Sequence, residues 1–185
     1  MSGGAARQAG GRASSVRMLA AVALPVLAVD LLTKALAVAR LQPPYAPHRL
    51  VGDVVRLTLA YNQEGVMGLP AGPDSRWILS AVSAVLLVVL ARLLFATRPG
   101  DRPRAAALAL IIGGAVGNLA DRLVSARGVV DFIDIGTPAW RFWTFNVADI
   151  GIDVGIVLLG WALWRADLER KRSQAVTLDA ARNPR

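Results

Sequence analysis

The chain of 185 residues contains no cysteine and only one histidine, His48. The lack of cysteine excludes disulfides, a thiol nucleophile and a cysteine metal site, and a lone histidine provides no metal-ligand spacing. We therefore expect no metal and no other cofactor. Charged residues are also scarce, at 18% against 55% hydrophobic residues, and the mean hydropathy is +0.47. Such a composition is too apolar for a soluble domain of this size and indicates a membrane protein.

The net charge of +8 raises the question of nucleic acid, which the position of the cations answers. They stand in short stretches between apolar runs and near both ends of the chain, without interleaved aromatic residues. This distribution is typical of the cytoplasmic flanks of membrane helices. We expect no binding of nucleic acid.

Four apolar segments each approach the ~20 residues that a helix needs to cross the hydrocarbon core of a bilayer. They extend over about residues 18–39, 77–96, 104–123 and 147–164. We predict an all-α membrane protein with four transmembrane helices, whose membrane domain covers residues 18–166. Two cytoplasmic tails flank it: residues 1–17, predicted to be disordered, and residues 167–185, predicted to begin as a charged helix and to fade into coil.

Arginine and lysine in the short flanks set the predicted orientation. These cations precede the first segment, separate the second from the third and follow the fourth: Arg7, Arg12, Arg17, Arg98, Arg102, Arg104, Arg165, Arg170, Lys171 and Arg172. Both termini are then cytoplasmic, and loops 40–76 and 124–146 lie on the outer side. A cleaved signal peptide is the competing interpretation of the first segment, but Asp30 and Lys34 interrupt the region that should be purely apolar.

The two outer loops contain β-prone stretches. Residues 54–62, VVRLTLAYN, alternate large apolar residues with polar or small ones, which is the period of a half-buried strand. Residues 128–135, GVVDFIDI, form the second stretch. We predict that the two pair into a small β-sheet on the outer face of the bundle, and that the proline-rich entry at 43–47 is irregular.

Polar side chains interrupt three of the four apolar segments, always near the outer end. They are Asp30 and Lys34 in the first segment, Asn118, Asp121 and Arg122 in the third, and Asn146, Asp149 and Asp153 at the start of the fourth, with Asp131 in the loop just before. Ionisable groups in a membrane are costly, so each is a candidate for function. Asp153 lies one turn deeper than Asp149, and we predict that it is a buried support.

Asp131 and Asp149 are the preferred chemical pair among these residues. The other acids have cations nearby, and Asp30, Lys34, Asp121 and Arg122 are explained equally well as neutralising pairs that hold helix ends together. Two carboxylates that share a site of low dielectric constant keep one proton between them, which supplies an acid and a base side by side. Such a pair can hydrolyse a peptide bond without a metal, thiol or serine.

Four motifs in order resemble those of the lipoprotein signal peptidases, also called signal peptidase II, a family of bacterial membrane aspartyl proteases. They are VDLLTK at 29–34, GGAVGNLADR at 113–122, VVDF at 129–132 and FNVAD at 145–149. The resemblance extends over nearly all of residues 18–166. It implies cleavage of a prolipoprotein just before a cysteine that carries a diacylglyceryl group, in the bacterial cytoplasmic (inner) membrane and near its outer leaflet.

The resemblance also implies roles for individual residues. Asp131 and Asp149 match the catalytic aspartates, with Asp121 as the runner-up for one of them. Asn62, Asn118, Arg122 and Asn146 match polar residues around the substrate pocket, and Asp30, Lys34 and Asp121 match supporting positions. One motif departs from the family: YNQEGVMGL at 61–69 has Glu64 and Met67 where a glycine and an aromatic residue are usual, so we expect a changed substrate fit near Asn62.

Two other functions stay open at this stage. Buried carboxylates could serve a small membrane carrier or channel component, although residues 18–96 and 104–166 show no inverted-repeat correspondence. An inactive scaffold of the same fold is the third possibility. The expected partners are lipid-modified prolipoproteins and membrane lipid, and one chain is expected to suffice as a monomer.

Overall fold

The computed structural model describes residues 11–63 and 75–182, which form four long helices and one sheet. We number the helices α1 (Gly11–Arg40, with a π-helical stretch at Leu19–Ala23), α2 (Ser75–Phe95), α3 (Arg102–Val124) and α4 (Val147–Arg182). All four are long and apolar enough to cross a membrane. The all-α membrane fold with a small sheet formed by its loops is thus confirmed, and we call the end of the bundle that carries this sheet the outer end.

Helix α3 is the central helix of the bundle, because α1, α2 and α4 all pack against it. Its start is defined locally: the side chain of Asp101 accepts a hydrogen bond from the backbone N–H of Arg104, and Pro103 occupies the first turn, where no N–H partner is needed. The buried face of α3 is built largely from alanine and glycine. Small side chains let the neighbouring backbones approach closely, which is how helices pack in a membrane.

The five tryptophans support a membrane position for this bundle. Trp77, Trp140 and Trp143 lie at or beside the outer ends of α2 and α4, whereas Trp161 and Trp164 lie toward the other end of the apolar part of α4. All five side chains are exposed on the protein surface. Tryptophan gathers at the two boundaries between lipid and water, so these residues mark both edges of the membrane-spanning region.

Both predicted tails differ from expectation where the structure describes them. Residues 11–17 are helical and form the first turns of α1. Ser15 in this stretch is buried and donates a hydrogen bond to the carbonyl of Leu94 on α2 at 3.1 Å. Residues 1–10 lie outside the described part. At the other end α4 remains helical to Arg182 instead of fading into coil, with i,i+4 ion pairs such as Arg165–Glu169 along its polar extension.

The outer sheet contains three antiparallel strands in the order β1 (Pro47–Val51), β2 (Val55–Asn62) and β3 (Val129–Ile135). The predicted pairing of the two β-prone loop stretches is confirmed as β2 with β3. The proline-rich entry predicted to be irregular, residues 43–47, is irregular up to Ala46, and strand β1, which was not predicted, follows it. This strand forms at the sheet edge, where its first residue, Pro47, needs no ladder hydrogen bond.

The sheet is attached to the bundle by a small apolar core. Leu59 of β2 and Phe132 of β3 are buried against Ala37 and Leu41 at the outer end of α1. Side chains alternate between the two faces of a strand, so β3 directs Phe132 and Asp134 to one face and Asp131 to the other. The sheet therefore holds Asp131 at a fixed height above the helix ends.

Candidate active site

The site begins at the first turn of α4, where Asn146 and Asp149 cap the helix reciprocally. The side-chain oxygen of Asn146 accepts the backbone N–H of Asp149 at 2.9 Å, and the carboxylate of Asp149 accepts the backbone N–H of Asn146 at 3.1 Å. This is the geometry of a capping box, and a carboxylate is also favoured beside the positive end of a helix. Local sequence alone thus fixes both side chains at the helix start.

Asp131 approaches the same helix start from β3. Its carboxylate accepts the Nδ2 of Asn146 at 2.7 Å on one oxygen and the Nδ2 of Asn62 at 3.2 Å on the other. Asn146 is completely buried and Asp131 nearly so. Asn146 therefore contacts both carboxylates, that of Asp131 through its side chain and that of Asp149 through its backbone.

Burial gives Asp131 an unusual proton affinity. Loss of solvation and, to a smaller extent, the neighbouring charge of Asp149 together raise the pKa of this carboxyl from 3.8 to about 7, against the opposing hydrogen bonds from Asn62 and Asn146. A carboxyl with this pKa carries its proton for much of the time at neutral pH. Asp131 can therefore act as an acid beside the carboxylate of Asp149, which can act as a base.

The side chain of Asn118 on α3 contacts both Asp149 and Asn146. Its Nδ2 donates to the second carboxylate oxygen of Asp149 at 2.8 Å, and its Oδ1 accepts the Nδ2 of Asn146 at 3.1 Å. The three asparagines predicted to surround the site, Asn62, Asn118 and Asn146, are thus brought together by β2, α3 and α4. Each donates to one of the two aspartates.

A buried ion cluster lies directly behind these amides. The ammonium of Lys34 is 2.8 Å from Asp30, 2.9 Å from Asp121 and 2.9 Å from the Oδ1 of Asn118. Asp30 also accepts the backbone N–H of Ala148 at 2.8 Å, so the cluster joins α1, α3 and α4. The predicted group of supporting residues is therefore assembled, and it contacts the site itself.

Asp121, the runner-up for the catalytic pair, is engaged elsewhere. One of its oxygens contacts Lys34 and accepts the backbone N–H of Val130 at 3.1 Å, which ties the end of α3 to β3. Arg122, in contrast, has its Nη1 3.3 Å from the carbonyl of Asn118 and lies in the field of Asp121, Asp131 and Asp149. The geometry favours Asp131 over Asp121 as the partner of Asp149.

The prediction that Asp153 is a buried support is wrong. Its side chain is exposed, whereas Ala148, Gly151 and Gly155 form the buried face of α4. Successive residues advance by about 100° around a helix, so position 153 lies about 200° from Gly151, on the far side from that packing face. It shares the side of the helix that carries Asp149, one turn deeper.

Sequence reasoning overlooked two residues that shape the entrance to the site. Arg76 of α2 donates to the carbonyls of Arg122 and Leu123, at 2.5 and 2.7 Å, and so satisfies the end of α3. Gly128 has a φ of 93°, and a Cβ there would collide with the carbonyl of Asn62. A glycine directly before a β-prone run is the one sequence signal for this close approach.

A cavity of about 260 Å³ opens beside the site at the outer ends of α2 and α3. Its lining consists of Asn62, Gln63, Ser75, Arg76, Trp77, Arg122, Ala126 and Gly128. Glu64 and Met67 of the atypical loop lie outside the described residues. Within residues 11–63 and 75–182, no group of three or more acidic or histidine side chains is arranged to hold a metal ion.

Comparisons with known proteins identify the family of this chain. The family model described as signal peptidase (SPase) II matches residues 22–165. A lipoprotein signal peptidase of Rhodococcus jostii (strain RHA1) is 40% identical over 149 residues, covering 77% of this chain and 70% of the relative. Those of Mycobacterium avium (strain 104) and Burkholderia thailandensis are 37% identical over 150 residues and 40% identical over 141 residues, covering 78% and 75% of this chain and 77% and 82% of the relatives.

Solved structures confirm the fold independently. A bacterial membrane enzyme determined by the in meso method at 2.3 Å resolution superposes with a TM-score of 0.70 at 23% identity, over 83% of this chain and 88% of that one. A second, at 1.9 Å resolution, gives 0.67 at 24% identity, over 82% and 92%. With the family model matching most of the chain, this protein belongs to the signal peptidase II family of membrane aspartic peptidases.

Proposed function

We propose that this protein is a lipoprotein signal peptidase, which hydrolyses the peptide bond just before the lipid-modified cysteine of a prolipoprotein. The observation that carries the proposal is the pair of carboxylates, Asp131 and Asp149, joined through Asn146 at the start of a membrane helix. The identity with curated lipoprotein signal peptidases supports the substrate class.

In the proposed reaction Asp149 is the base and Asp131 the acid. Asp149 takes a proton from a water molecule while the water oxygen attacks the scissile carbonyl carbon, and Asp131 gives its proton to the carbonyl oxygen. The resulting tetrahedral intermediate collapses when the C–N bond breaks. The leaving amine takes up the proton held by Asp149, and Asp131 regains its proton from the intermediate's hydroxyl group, which leaves a carboxylic acid product and the original dyad.

The surrounding polar residues have two proposed tasks. Asn118 and Asn146 hold the two carboxylates in mutual reach, and Asn62 holds the outer oxygen of Asp131. Arg122 lines the adjacent cavity and is suited to bind a carbonyl of the substrate. These tasks combine positioning with electrostatic stabilisation of the reacting groups.

The charge pattern and the burial of the site support a proposal for the cellular setting. We place the protein in the bacterial inner membrane with both termini in the cytoplasm, because arginine and lysine cluster at those ends of the helices. The sheet and the dyad then lie near the outer leaflet, where a lipidated cysteine would be held by its acyl chains. All proposed site residues belong to one chain, which supports a working monomer.

The test is cleavage of a diacylglyceryl-modified precursor by the purified protein in detergent or lipid. Asp131→Asn and Asp149→Asn are each expected to lower the rate by at least about 10³-fold, since either change removes one proton-transfer group. Asp134→Asn is the matched control, because it alters the same strand on its other face. Cleavage retained by Asp131→Asn would reject Asp131 as the acid, and a wild-type protein that cuts no precursor would support an inactive scaffold.

A further inference from the structure

Lys34 is the starting point of a one-way chain of hydrogen bonds that ends at both aspartates. Its ammonium is only a donor, and within the described residues its contacts are with oxygens of Asp30, Asp121 and Asn118. Three contacts match the three protons of an ammonium. The lysine side chain is 4% exposed, so water offers little alternative.

The amide of Asn118 has one orientation that satisfies all its neighbours. Its Oδ1 faces two donors, Lys34 and the Nδ2 of Asn146, while its Nδ2 faces an acceptor, the carboxylate of Asp149. A flipped amide would place NH₂ against the ammonium and an oxygen against the carboxylate. Both contacts would then be repulsive in a buried site.

The same constraint passes to Asn146. Its Nδ2 donates to Asn118 and Asp131, and its Oδ1 accepts the N–H of Asp149. The donor direction therefore runs from Lys34 through the amide of Asn118 to Asp149, and the Asn118 oxygen also holds the amide of Asn146 that serves Asp131. No step in this chain can be reversed while Lys34 keeps its charge.

We propose that Lys34 is a positioning residue of the catalytic site, which fixes the amide of Asn118 so that it donates to Asp149. This goes beyond a structural ion pair and rests on the proposed function. Lys34 itself touches neither reacting carboxylate in the described structure. It acts through Asn118.

Asp30 offers a matched comparison because it belongs to the same cluster but lacks the contact with Asn118. It pairs with Lys34 and accepts the N–H of Ala148. Two further charged groups lie near the lysine or the dyad, Asp121 and Arg122 on α3. The charge of Lys34 also acts on Asp131, the dyad member on β3. Asp30→Asn keeps an oxygen for the N–H of Ala148, but its NH₂ group then meets the ammonium of Lys34, so this variant disturbs Lys34 without altering Asn118.

The experiment is a double-mutant cycle with Lys34→Met and Asn118→Leu. The values of kcat and KM are measured on lipidated precursor in steady-state assays, and the rate of the chemical step is measured in single-turnover assays. Lys34→Met is expected to lower kcat by about 10²-fold with KM changed less than about threefold, since the carboxylate loses its fixed donor. In an Asn118→Leu background, Lys34→Met is expected to have no further effect beyond about twofold. Asp30→Asn acts on kcat through Lys34, so its effect on kcat should likewise disappear in the Asn118→Leu background. Asn62→Leu removes a separate donor to Asp131, so its effect should multiply with that of Asn118→Leu, because independent effects add in free energy.

Equal factors for Lys34→Met in both backgrounds, at matched thermal stability, would overturn the proposal and leave Lys34 a structural residue. If Lys34→Met does not accumulate, Asp30→Asn/Lys34→Met replaces it in both backgrounds, because neutralising Asp30 together with Lys34 removes one unpaired buried charge and still leaves no donor for Asn118. Wild-type cleavage is measured first. If the wild-type protein does not cleave, the proposed function is rejected. If it cleaves and Lys34→Met lowers kcat by the same factor in both backgrounds, only the positioning role is rejected.

Discussion

Strand β3 separates two polar clusters, each of which pairs aspartates with basic side chains. Asp131 points to the inner cluster, where Asn146, Asn118 and Lys34 lie behind it. Three residues along, Asp134 points to the outer cluster, which consists of Asp134, Arg141, Asp53, Arg49 and Arg56. Arg141 joins its two aspartates, because it binds the carboxylate of Asp134 at 2.5 Å and the carbonyl of Asp53 at 2.8 Å.

The two clusters differ most in their exposure to water. Lys34 and Asp30 are 4% and 0% exposed in their side chains, whereas Arg49 and Asp53 of the outer cluster are 70% and 31% exposed. A buried pair is costly to break because the remaining charge has no solvent, but an exposed pair is screened and contributes little. Position in the fold, rather than residue type, therefore decides how much an ion pair contributes to stability.

The largest expected effect comes from breaking the inner cluster on one side. Asp30→Leu leaves Lys34 with one carboxylate fewer and the N–H of Ala148 without its acceptor, so we expect a loss of about 3–5 kcal/mol of unfolding free energy. Thermal or denaturant unfolding in detergent measures it. The double variant Asp30→Leu/Lys34→Met should be less destabilised than Asp30→Leu alone, and the reverse order would contradict the buried-pair explanation.

Close packing behind the inner cluster gives the next effect. A Cβ at Gly117 would collide with the carboxylate of Asp30, so Gly117→Ala is expected to cost about 1–3 kcal/mol of stability and to lower kcat. Gly160→Ala on α4 is the control, because nothing lies within 4 Å of its added Cβ. It should be neutral or stabilising by up to about 1 kcal/mol, as expected for glycine in a helix. Equal destabilisation by both would show that the contact with Asp30 is unimportant.

Changing pH separates the two aspartates of β3. If the acid Asp131 must hold its proton, kcat/KM should fall above about pH 7, by up to tenfold per pH unit, because its pKa is raised to about 7. The folded state also binds more protons than the unfolded state between pH 4 and 7, so its stability should decline as pH rises through the folded pKa. An Asp134→Asn variant should keep the same profile. A profile flat to pH 9 would remove Asp131 as the acid.

The smallest effect is expected at the exposed edge of the outer cluster. Arg49→Met removes one of two ion pairs to Asp53, which keeps its 2.6 Å contact with Arg56. We expect a change below about 1 kcal/mol in unfolding free energy and no change in kcat. Thermal unfolding alongside Asp30→Leu measures the contrast between the clusters directly. A loss comparable with that of Asp30→Leu would contradict it.

The membrane-spanning helices, the pairing of β2 with β3 and the set of polar residues at one end of the bundle could all be predicted from the sequence. These follow from local rules: segment length and apolar content, alternation along a strand, and helical spacing of polar groups. Even the contact of Asn146 with Asp149 is local, because a capping box depends only on residues three apart.

Contacts between residues of different elements could not be predicted in this way, because they depend on how the helices and the sheet pack. Asp131 and Asp121 stand in equally strong motifs, and it is the approach of Lys34 from α1 that engages one and leaves the other beside Asp149. Asp153 was predicted to be buried because an acid in an apolar helix normally is, but the facing of α4, set by the glycines packed against α3, exposed it. Spacing along a chain fixes the angle between side chains on one helix, and packing alone fixes where that helix faces.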